Sequence, residues 1–371
     1  KSSNELSFYA YFRNLQPLCE VFDIGMDLPS VPTFKGYMHE KNNQLNLQAY
    51  IPNINTNGAQ MENLTLAIDN MNDQLSISAH VFNRLPKENP TAAKIGDVKA
   101  DIQLLAAHDK INATIQLENT DSVQNEGTIR LSSHIMQYAN KPLISTHIQP
   151  TTIILNDSTW TIDEANIVYN VSEQRLDIHD FSLNTNYQMI AANGSASKYA
   201  TDSINVELRN IDVQYLLSYT LASEALSVQG PLTGRATLYS LFSMPIVEAQ
   251  AYIPNAGLNN TYLGDLNASA YWDHPTNSII IEGQAIDSTD HLVADVNGKI
   301  IPDEKWWGLD IKCDSIDIGL IDFWTHDFFA NPQGRACGDL QIFGQDHLTW
   351  VTTKLYGKNV QLMVPQIGAT F

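Results

Sequence analysis

The sequence has few of the residues that usually carry chemistry or cross-link small domains. It contains three cysteines in 371 residues, Cys19, Cys313 and Cys337, and their odd number and wide spacing predict neither a disulfide framework nor a zinc site. A bridge between Cys313 and Cys337 stays open, although both lie in alternating runs typical of small core residues. No His-Glu-x-x-His motif and no Gly-x-Ser-x-Gly elbow is present. We therefore expect no enzyme activity, no metal and no cofactor.

Positive charge and long apolar runs are also scarce. The chain has 21 lysines and arginines against 41 aspartates and glutamates, a formal net charge of −20. Such a chain is not expected to bind nucleic acid, whose phosphates need basic partners, or to dock on an anionic membrane surface. No apolar run of about 18 residues and no signal peptide is present. We expect a piece of a longer protein whose flanks would carry any membrane anchor.

What the sequence has in abundance is alternation of apolar and polar residues, the period of a half-buried strand. Turn formers separate the alternating runs at intervals of about 10–12 residues, typical of an antiparallel meander. The pattern predicts an all-β fold: a long, mostly antiparallel curled sheet, an open and taco-like trough, with a few short helices. Because about 30 strands exceed what a flat open sheet tolerates, the sheet should curl, and closed β-sandwiches with dry cores remain the alternative.

Two phrases recur along the chain and indicate a repeat. Ala49-Tyr50-Ile51-Pro52-Asn53 returns letter for letter at residues 251–255. The glycine pair Gly230 and Gly234 returns as Gly334 and Gly338, and Pro32 and Gly36 take these places in the first copy. We expect the glycines to be structural, giving room to a preceding short helix.

A third recurring phrase precedes each of these glycine segments. It is found at residues 13–17, 209–213 and 314–318, and a short helical period follows each copy. Asp212 and Asp317 are suited to cap the second and third helices. The spacing predicts one elongated repeat-built body over 1–371, with units at approximately 1–205, 206–310 and 311–371, the last truncated.

The order of several phrases resembles the C-terminal region of TamB-type translocation and assembly modules, which belong to the AsmA-like envelope proteins. The phrases are Trp160-Thr161-Ile162, the run from Gln188 to Ser197, Asn210-Ile211-Asp212, the run from Gly230 to Gly234, Met244-Pro245, the run from Tyr252 to Ala256, and the run from Leu263 to Leu266. The resemblance is clearest over roughly 140–371.

This resemblance implies a periplasmic protein of a diderm bacterium, anchored in the inner membrane in its full-length form. It implies a bridge between the two membranes that holds phospholipid or other acyl chains in an apolar trough and supports outer-membrane biogenesis, with an Omp85-type barrel as partner. Two alternatives remain open: a scaffold that assembles outer-membrane barrels or aids secretion by β-augmentation, and a closed β-sandwich adhesin or spacer.

The apolar phase of the strands supplies the candidate lining of such a trough. The lining residues are Leu45, Leu47, Leu64, Leu66, Ile68, Leu75, Ile77, Leu266, Trp272, Ile279 and Ile281.

Overall fold

The computed structural model describes most of the chain. The described residues are 5–11, 30–56, 59–71, 73–84, 97–119, 124–155, 157–213, 228–243, 246–258, 261–322, 328–345, 348–364 and 369–370. They divide into two compact units, Lys1–Thr185 and Asn186–Phe371, and each unit is treated separately below.

The described part of the first unit consists of strands and one short 3-10 helix, Glu40–Asn42. The strands are β1 (Glu5–Tyr11), β2 (Thr33–His39), β3 (Gln44–Thr56), β4 (Ala59–Met71), β5 (Gln74–Arg84), β6 (Val98–Ala107), β7 (Lys110–Asn119), β8 (Glu126–Tyr138), β9 (Lys141–Ile148), β10 (Thr151–Leu155), β11 (Ser158–Ile162), β12 (Ala165–Asn170) and β13 (Arg175–Asn184).

Strands β1 to β9 form an antiparallel meander in which each strand pairs with the next. At the C-terminal end of this unit, two strands each pair with two shorter ones. Strands β9 and β10 both pair with β8, and strands β12 and β11 both pair with β13. Gln149-Pro150 separates β9 from β10, because proline has no amide hydrogen to give to the ladder.

The second unit is also built from strands, with two described 3-10 helices, Pro302–Glu304 and Ile318–Ile321. Its strands are β14 (Met189–Ala196), β15 (Ser203–Asp212), β16 (Val228–Gln229), β17 (Pro231–Tyr239), β18 (Ile246–Leu258), β19 (Thr261–Asp273), β20 (Ser278–Ile286), β21 (Leu292–Ile301), β22 (Trp306–Asp317), β23 (Ala330–Gln345), β24 (Leu348–Val364) and β25 (Ala369–Thr370).

These strands pair antiparallel in chain order, except that β15 pairs with β17 and the short β16 pairs with β18. Strands β19 and β22 are not hydrogen-bonded neighbours, yet some of their Cα atoms lie within 8 Å of each other. In a flat sheet, strands three places apart lie on the order of 14 Å from each other. The sheet of the second unit therefore curls at this point.

The fold-class prediction is confirmed: the protein is all-β, with long, curled, antiparallel sheet and a few short helices. The first two predicted helices fall in 12–29 and 214–227, outside the described residues, as does most of the third. The described start of the third is the 3-10 helix Ile318–Ile321, and Asp317 caps it by accepting a hydrogen bond from the Gly319 amide at 2.8 Å. The predicted repeat boundaries stay a prediction.

In its two described copies, at residues 209–213 and 314–318, the recurring phrase forms a β-bulge, which the sequence analysis did not identify. The copy at residues 13–17 lies outside the described residues. Register slips between Leu208 and Ile211 on β15 and between Cys313 and Ile316 on β22. The bulge brings two alternating apolar residues of each copy into the core, where they are nearly or fully buried. These are Ile211 and Val213 in one copy and Ile316 and Ile318 in the other.

The repeated Ala-Tyr-Ile-Pro-Asn phrase adopts the same pairing in both units. Tyr50 donates a hydrogen bond to Asn63 at 2.8 Å, and Tyr252 donates one to Asp265 at 3.0 Å, 13 residues downstream in each case. Thr33 pairs with Tyr50 as Thr233 pairs with Tyr252. Thr33 therefore corresponds to Thr233, and Phe34, not Gly36, corresponds to Gly234. The alignment of Gly36 with Gly234 from the sequence is wrong by two residues.

The paired glycines leave room for the next strand. Gly338 has a φ of +135°, and a Cβ atom there would collide with the carbonyl oxygen of Lys354 on β24. A Cβ on Gly234 would likewise collide with the carbonyl oxygen of Gln250 on β18. At Gly234 and Gly338 the backbone of the following strand thus requires glycine. The predicted fit to a preceding helix stays a prediction, because most of the helix residues lie outside the described part of the chain.

Candidate functional site

One face of the first unit carries an unbroken row of apolar residues across ten strands. The register places Leu47 beside Ile68, and Ile68 beside Ile77. From β1 to β12 the row reads Phe8, Gly36, Leu47, Ile68, Ile77, Leu104, Ala113, Leu131, Ile148 and Ala165. At about 4.8 Å per strand, this row, here called the apolar ladder, follows the sheet for roughly 40 Å.

A second apolar row runs beside the ladder on the same face. It reads Ala10, Phe34, Ala49, Leu66, Ala79, Ile102, Ile115 and Ile129. Because side chains two residues apart on a strand share a face, the two rows form one continuous apolar surface, here called the apolar face. Gly36 has no side chain, and the ring of Phe8 occupies the space that a Cβ atom of residue 36 would need.

The apolar face is buried at its β9–β12 end and at the small residues Gly36 and Ala49, and it is partly exposed elsewhere. Ile148 is 7% exposed and Ala165 is fully buried. Leu47, Ile77 and Leu104 are only half-buried, and Ile102 is 38% exposed. A single sheet layer with half-exposed aliphatic side chains has surface left over for another apolar body.

The opposite face of the same strands is polar. Asn46 donates to Asp69 at 2.8 Å, and the His80 ring nitrogen lies 2.6 Å from the Asp101 carboxylate. The sheet is therefore amphipathic in cross-section, and its two faces are solvated differently.

Polar groups return at one margin of the apolar face. The row beyond the ladder, on the side away from Ile102, contains Asn70 between Leu45 and Leu75. Further along the same row, the Ser133 and Thr146 hydroxyls hydrogen-bond to each other at 2.8 Å. This margin could face a polar group while the aliphatic rows face hydrocarbon.

The structure brings the predicted lining residues together in two groups. The seven in the first unit lie on one side of the sheet: Leu47, Leu66, Ile68 and Ile77 belong to the apolar face, Leu45 and Leu75 to its margin, and Leu64 lies one row beyond Leu66. Leu64 differs from the others because it packs against buried Ile54.

The four predicted lining residues of the second unit share a face of β19 and β20. Trp272 pairs with Ile279, and residue 270 with Ile281. Leu266 packs against the buried cluster of this unit, so it belongs to core rather than to an open surface. The Trp272 indole N–H is buried and has no hydrogen-bond partner among the described residues.

Sequence reasoning left out the part of the apolar face that lies on β6 to β8. Ile102, Leu104, Ile115 and Leu131 continue the rows there. The same alternation marks these residues in the sequence, but only the register shows that they extend the rows begun on β3.

The second unit, in contrast, encloses a buried apolar core. Leu340 and Ile342 are fully buried, and Ile311 is 5% exposed. Together with residues of β18 to β23 they form one cluster. Here the apolar phase of the strands packs against protein.

The cysteine predictions had mixed outcomes. Cys313 is buried in this core, as expected, and burial raises the pKa of its thiol to about 11. Cys337 is exposed, so its prediction as a core residue is wrong. Since Cys313 pairs with Gly338, the neighbouring Cys337 lies on the other face of the sheet, and the two thiols are free. Cys19 lies outside the described residues.

Other shifted pKa values belong to structural contacts. The Thr289 hydroxyl and amide and the His291 amide donate to Asp287 and lower the pKa of that carboxyl to about 2. The hydrogen bond to Asp265, with burial and the charge of that carboxylate, raises the pKa of Tyr252. Each of these groups fixes a turn or a pair of neighbouring strands.

Among the described residues, no three or more His, Cys, Asp or Glu side chains are grouped so as to suit a metal ion, and no helix has the length and apolar character to span a membrane. No protein-family model, curated protein or solved structure matches the chain. The resemblance to TamB-type modules therefore stays a prediction.

Proposed function

We propose that this chain holds lipid acyl chains against the apolar face of its first unit. The observation that carries the proposal is the apolar ladder, which crosses ten strands without a polar side chain while most of its members are only partly buried. An acyl chain laid along these rows removes both its own surface and the aliphatic side chains from water.

The energy of such contact is substantial. Transfer of one CH₂ group from water to an apolar environment contributes about 0.8 kcal/mol. An acyl chain along a few strands would bury several such groups, while its polar end could lie near Asn70 or the Ser133–Thr146 pair at the margin. The formal net charge of −20 would keep a protein with this surface soluble.

We place this activity in the periplasm, in a bridge between the inner and outer membranes of a diderm bacterium that supports outer-membrane biogenesis. The support is the predicted family resemblance together with a long amphipathic sheet of the kind that such a bridge requires. An Omp85-type barrel as outer-membrane partner, and an inner-membrane anchor supplied by flanking sequence, are parts of the same proposal.

The test is to purify the chain without detergent and extract it with organic solvent for lipid mass spectrometry. We expect phospholipid or another acyl-chain lipid to be retained. A protein that yields no lipid, and that binds no fluorescent fatty acid added after purification, would sink the proposal.

One observation favours a second function, β-augmentation. Among the described residues β1 pairs only with β2, and it contains neither lysine nor proline, the residues that usually blunt an edge strand. Tyr9 and Tyr11 on it are 68% and 57% exposed. A strand of an outer-membrane barrel protein could pair with this edge. Crosslinking from position 9 would then capture that protein, whereas capture of lipid alone would count against this function.

A further inference from the structure

The hairpin formed by β8 and β9 extends beyond the strand next to it. Strand β7 begins at Lys110, which pairs with His134, whereas β8 and β9 stay paired as far as Tyr138 and Lys141. The amide of Ile135 donates to the carbonyl of Asp109 at 2.7 Å in the β6–β7 turn. On the other side of the hairpin the Val171 amide donates to the Pro142 carbonyl at 3.2 Å. Residues 135–142 are thus held at their base by these two bonds, and their turn extends past the neighbouring strands. We call residues 135–142 the projecting hairpin.

The turn at the end of the projecting hairpin is tight. Its two central residues, Ala139 and Asn140, have φ angles of 48° and 61°. Positive φ at both central positions is typical of the type I′ turn, whose twist matches that of the flanking strands. The hairpin therefore presents its side chains on a defined scaffold.

Large apolar side chains of the projecting hairpin are exposed. Ile135 is 36% exposed, Met136 46% and Tyr138 48%. Met136 and Tyr138 lie on the same face of β8, two residues apart. Tyrosine beside aliphatic side chains is typical of surfaces that meet a membrane–water interface, because its ring is apolar and its hydroxyl is polar.

Charge around the hairpin departs from that of the whole chain. Residues 105–112 and 133–146 contain Lys110 and Lys141 against Asp109, and the adjacent β12–β13 turn adds Glu173, so the local formal charge is +2 − 2 = 0, whereas the chain carries −20. An open cleft of about 270 Å³ lies between the β6–β7 turn and the hairpin, and His108, Gln137 and Lys141 are among its polar lining. Lys110 pairs with His134 and Lys141 with Tyr138, so both lysines lie on the face that carries Met136 and Tyr138, and ammonium groups beside apolar side chains suit anionic lipid headgroups.

We propose that the projecting hairpin docks on an anionic phospholipid membrane, with Met136 and Tyr138 in the headgroup region and Lys110 and Lys141 facing lipid phosphates. The overall charge opposes such docking, but the Debye length of about 8 Å at physiological salt limits that repulsion to nearby charges. This proposal goes beyond the lipid-holding function and does not depend on it.

The test is co-sedimentation of the purified chain with vesicles of phosphatidylcholine alone and of an equal mixture with phosphatidylglycerol. We expect binding to the mixed vesicles only, and its loss at high salt. Each lysine near an anionic surface contributes roughly a fivefold gain in affinity, so K110Q/K141Q should lower binding by about 25-fold. M136S/Y138S should abolish it, and both variants should still carry any lipid held on the apolar face.

Lys354→Gln and Tyr356→Ser provide the matched control, since these exposed residues of β24 lose the same chemistry elsewhere. We expect them to bind vesicles as the parent does. A second readout uses M136C labelled with an environment-sensitive dye in a C19S/C337S background, and its emission should shift to the blue with mixed vesicles. Absence of vesicle binding, binding that the hairpin variants leave unchanged, or an unshifted dye would overturn the proposal.

Discussion

Ile102→Asp should strip the chain of most of its bound lipid. Ile102 lies in the middle of the apolar face, pairs with Ala79 and Ile115, and is 38% exposed. A carboxylate there would have to be desolvated whenever an acyl chain covered it. Placing Asp in hydrocarbon costs about 2.5–3.5 kcal/mol on insertion scales. Because the position is partly open to water, we expect roughly a tenfold or greater fall in lipid per protein.

Gln103→Asp is the matched control for this variant. Gln103 is the next residue of the same strand, is exposed, and lies on the polar face beside Ser78 and Thr114. It adds the same charge without touching the apolar face, so lipid content should stay at the parent level. Lipid mass spectrometry after extraction measures both variants. Equal retention by the two, or equal loss from both, would contradict the assignment of the ligand to this face.

Leu340→Ala should destabilise the protein far more than Leu104→Ala. Leu340 is fully buried in the cluster of the second unit, where removal of the side chain leaves a cavity. Such truncations cost about 2–5 kcal/mol. Leu104 lies half-buried on the apolar ladder, so its truncation leaves little cavity, and we expect a cost of about 1 kcal/mol from lost burial alone.

Urea unfolding of delipidated protein measures this difference, with the transition of each unit monitored separately if the two do not unfold together. Similar losses of unfolding free energy for the two leucine variants would mean that the apolar face of the first unit is as fully buried as the core of the second. That outcome would favour the closed β-sandwich that the sequence also allowed.

Much of the fold could be predicted from the sequence because its signal is local. Alternation at period two identifies the strands around Leu47 and Ile77, and asparagines and aspartates mark the turns between them. The repeated phrases were detectable for the same reason, as contiguous strings. The bulges were not, since a bulge is defined by the partner strand: only the pairing of Ile211 with Leu232 reveals the slipped register on β15.

The open or closed state of the apolar phase could not be predicted for the same physical reason. Ile77 and Ile311 are both alternating isoleucines in their strands, yet one is half-buried on a single sheet and the other is nearly fully buried in a core. Their difference depends on how sharply each sheet curls, a property of many strands together. The misplacement of Cys337 has a simpler origin, because a shift of one residue moves a side chain to the opposite face.

The most direct test of the lipid-holding function is photo-crosslinking by p-benzoylphenylalanine placed at position 102 or at position 103, followed by mass spectrometry of the adduct. We expect a lipid adduct at position 102 and none at position 103. Lipid captured equally from both faces, or from neither while protein partners are captured at 102, would contradict the claim that the apolar face of the first unit holds acyl chains.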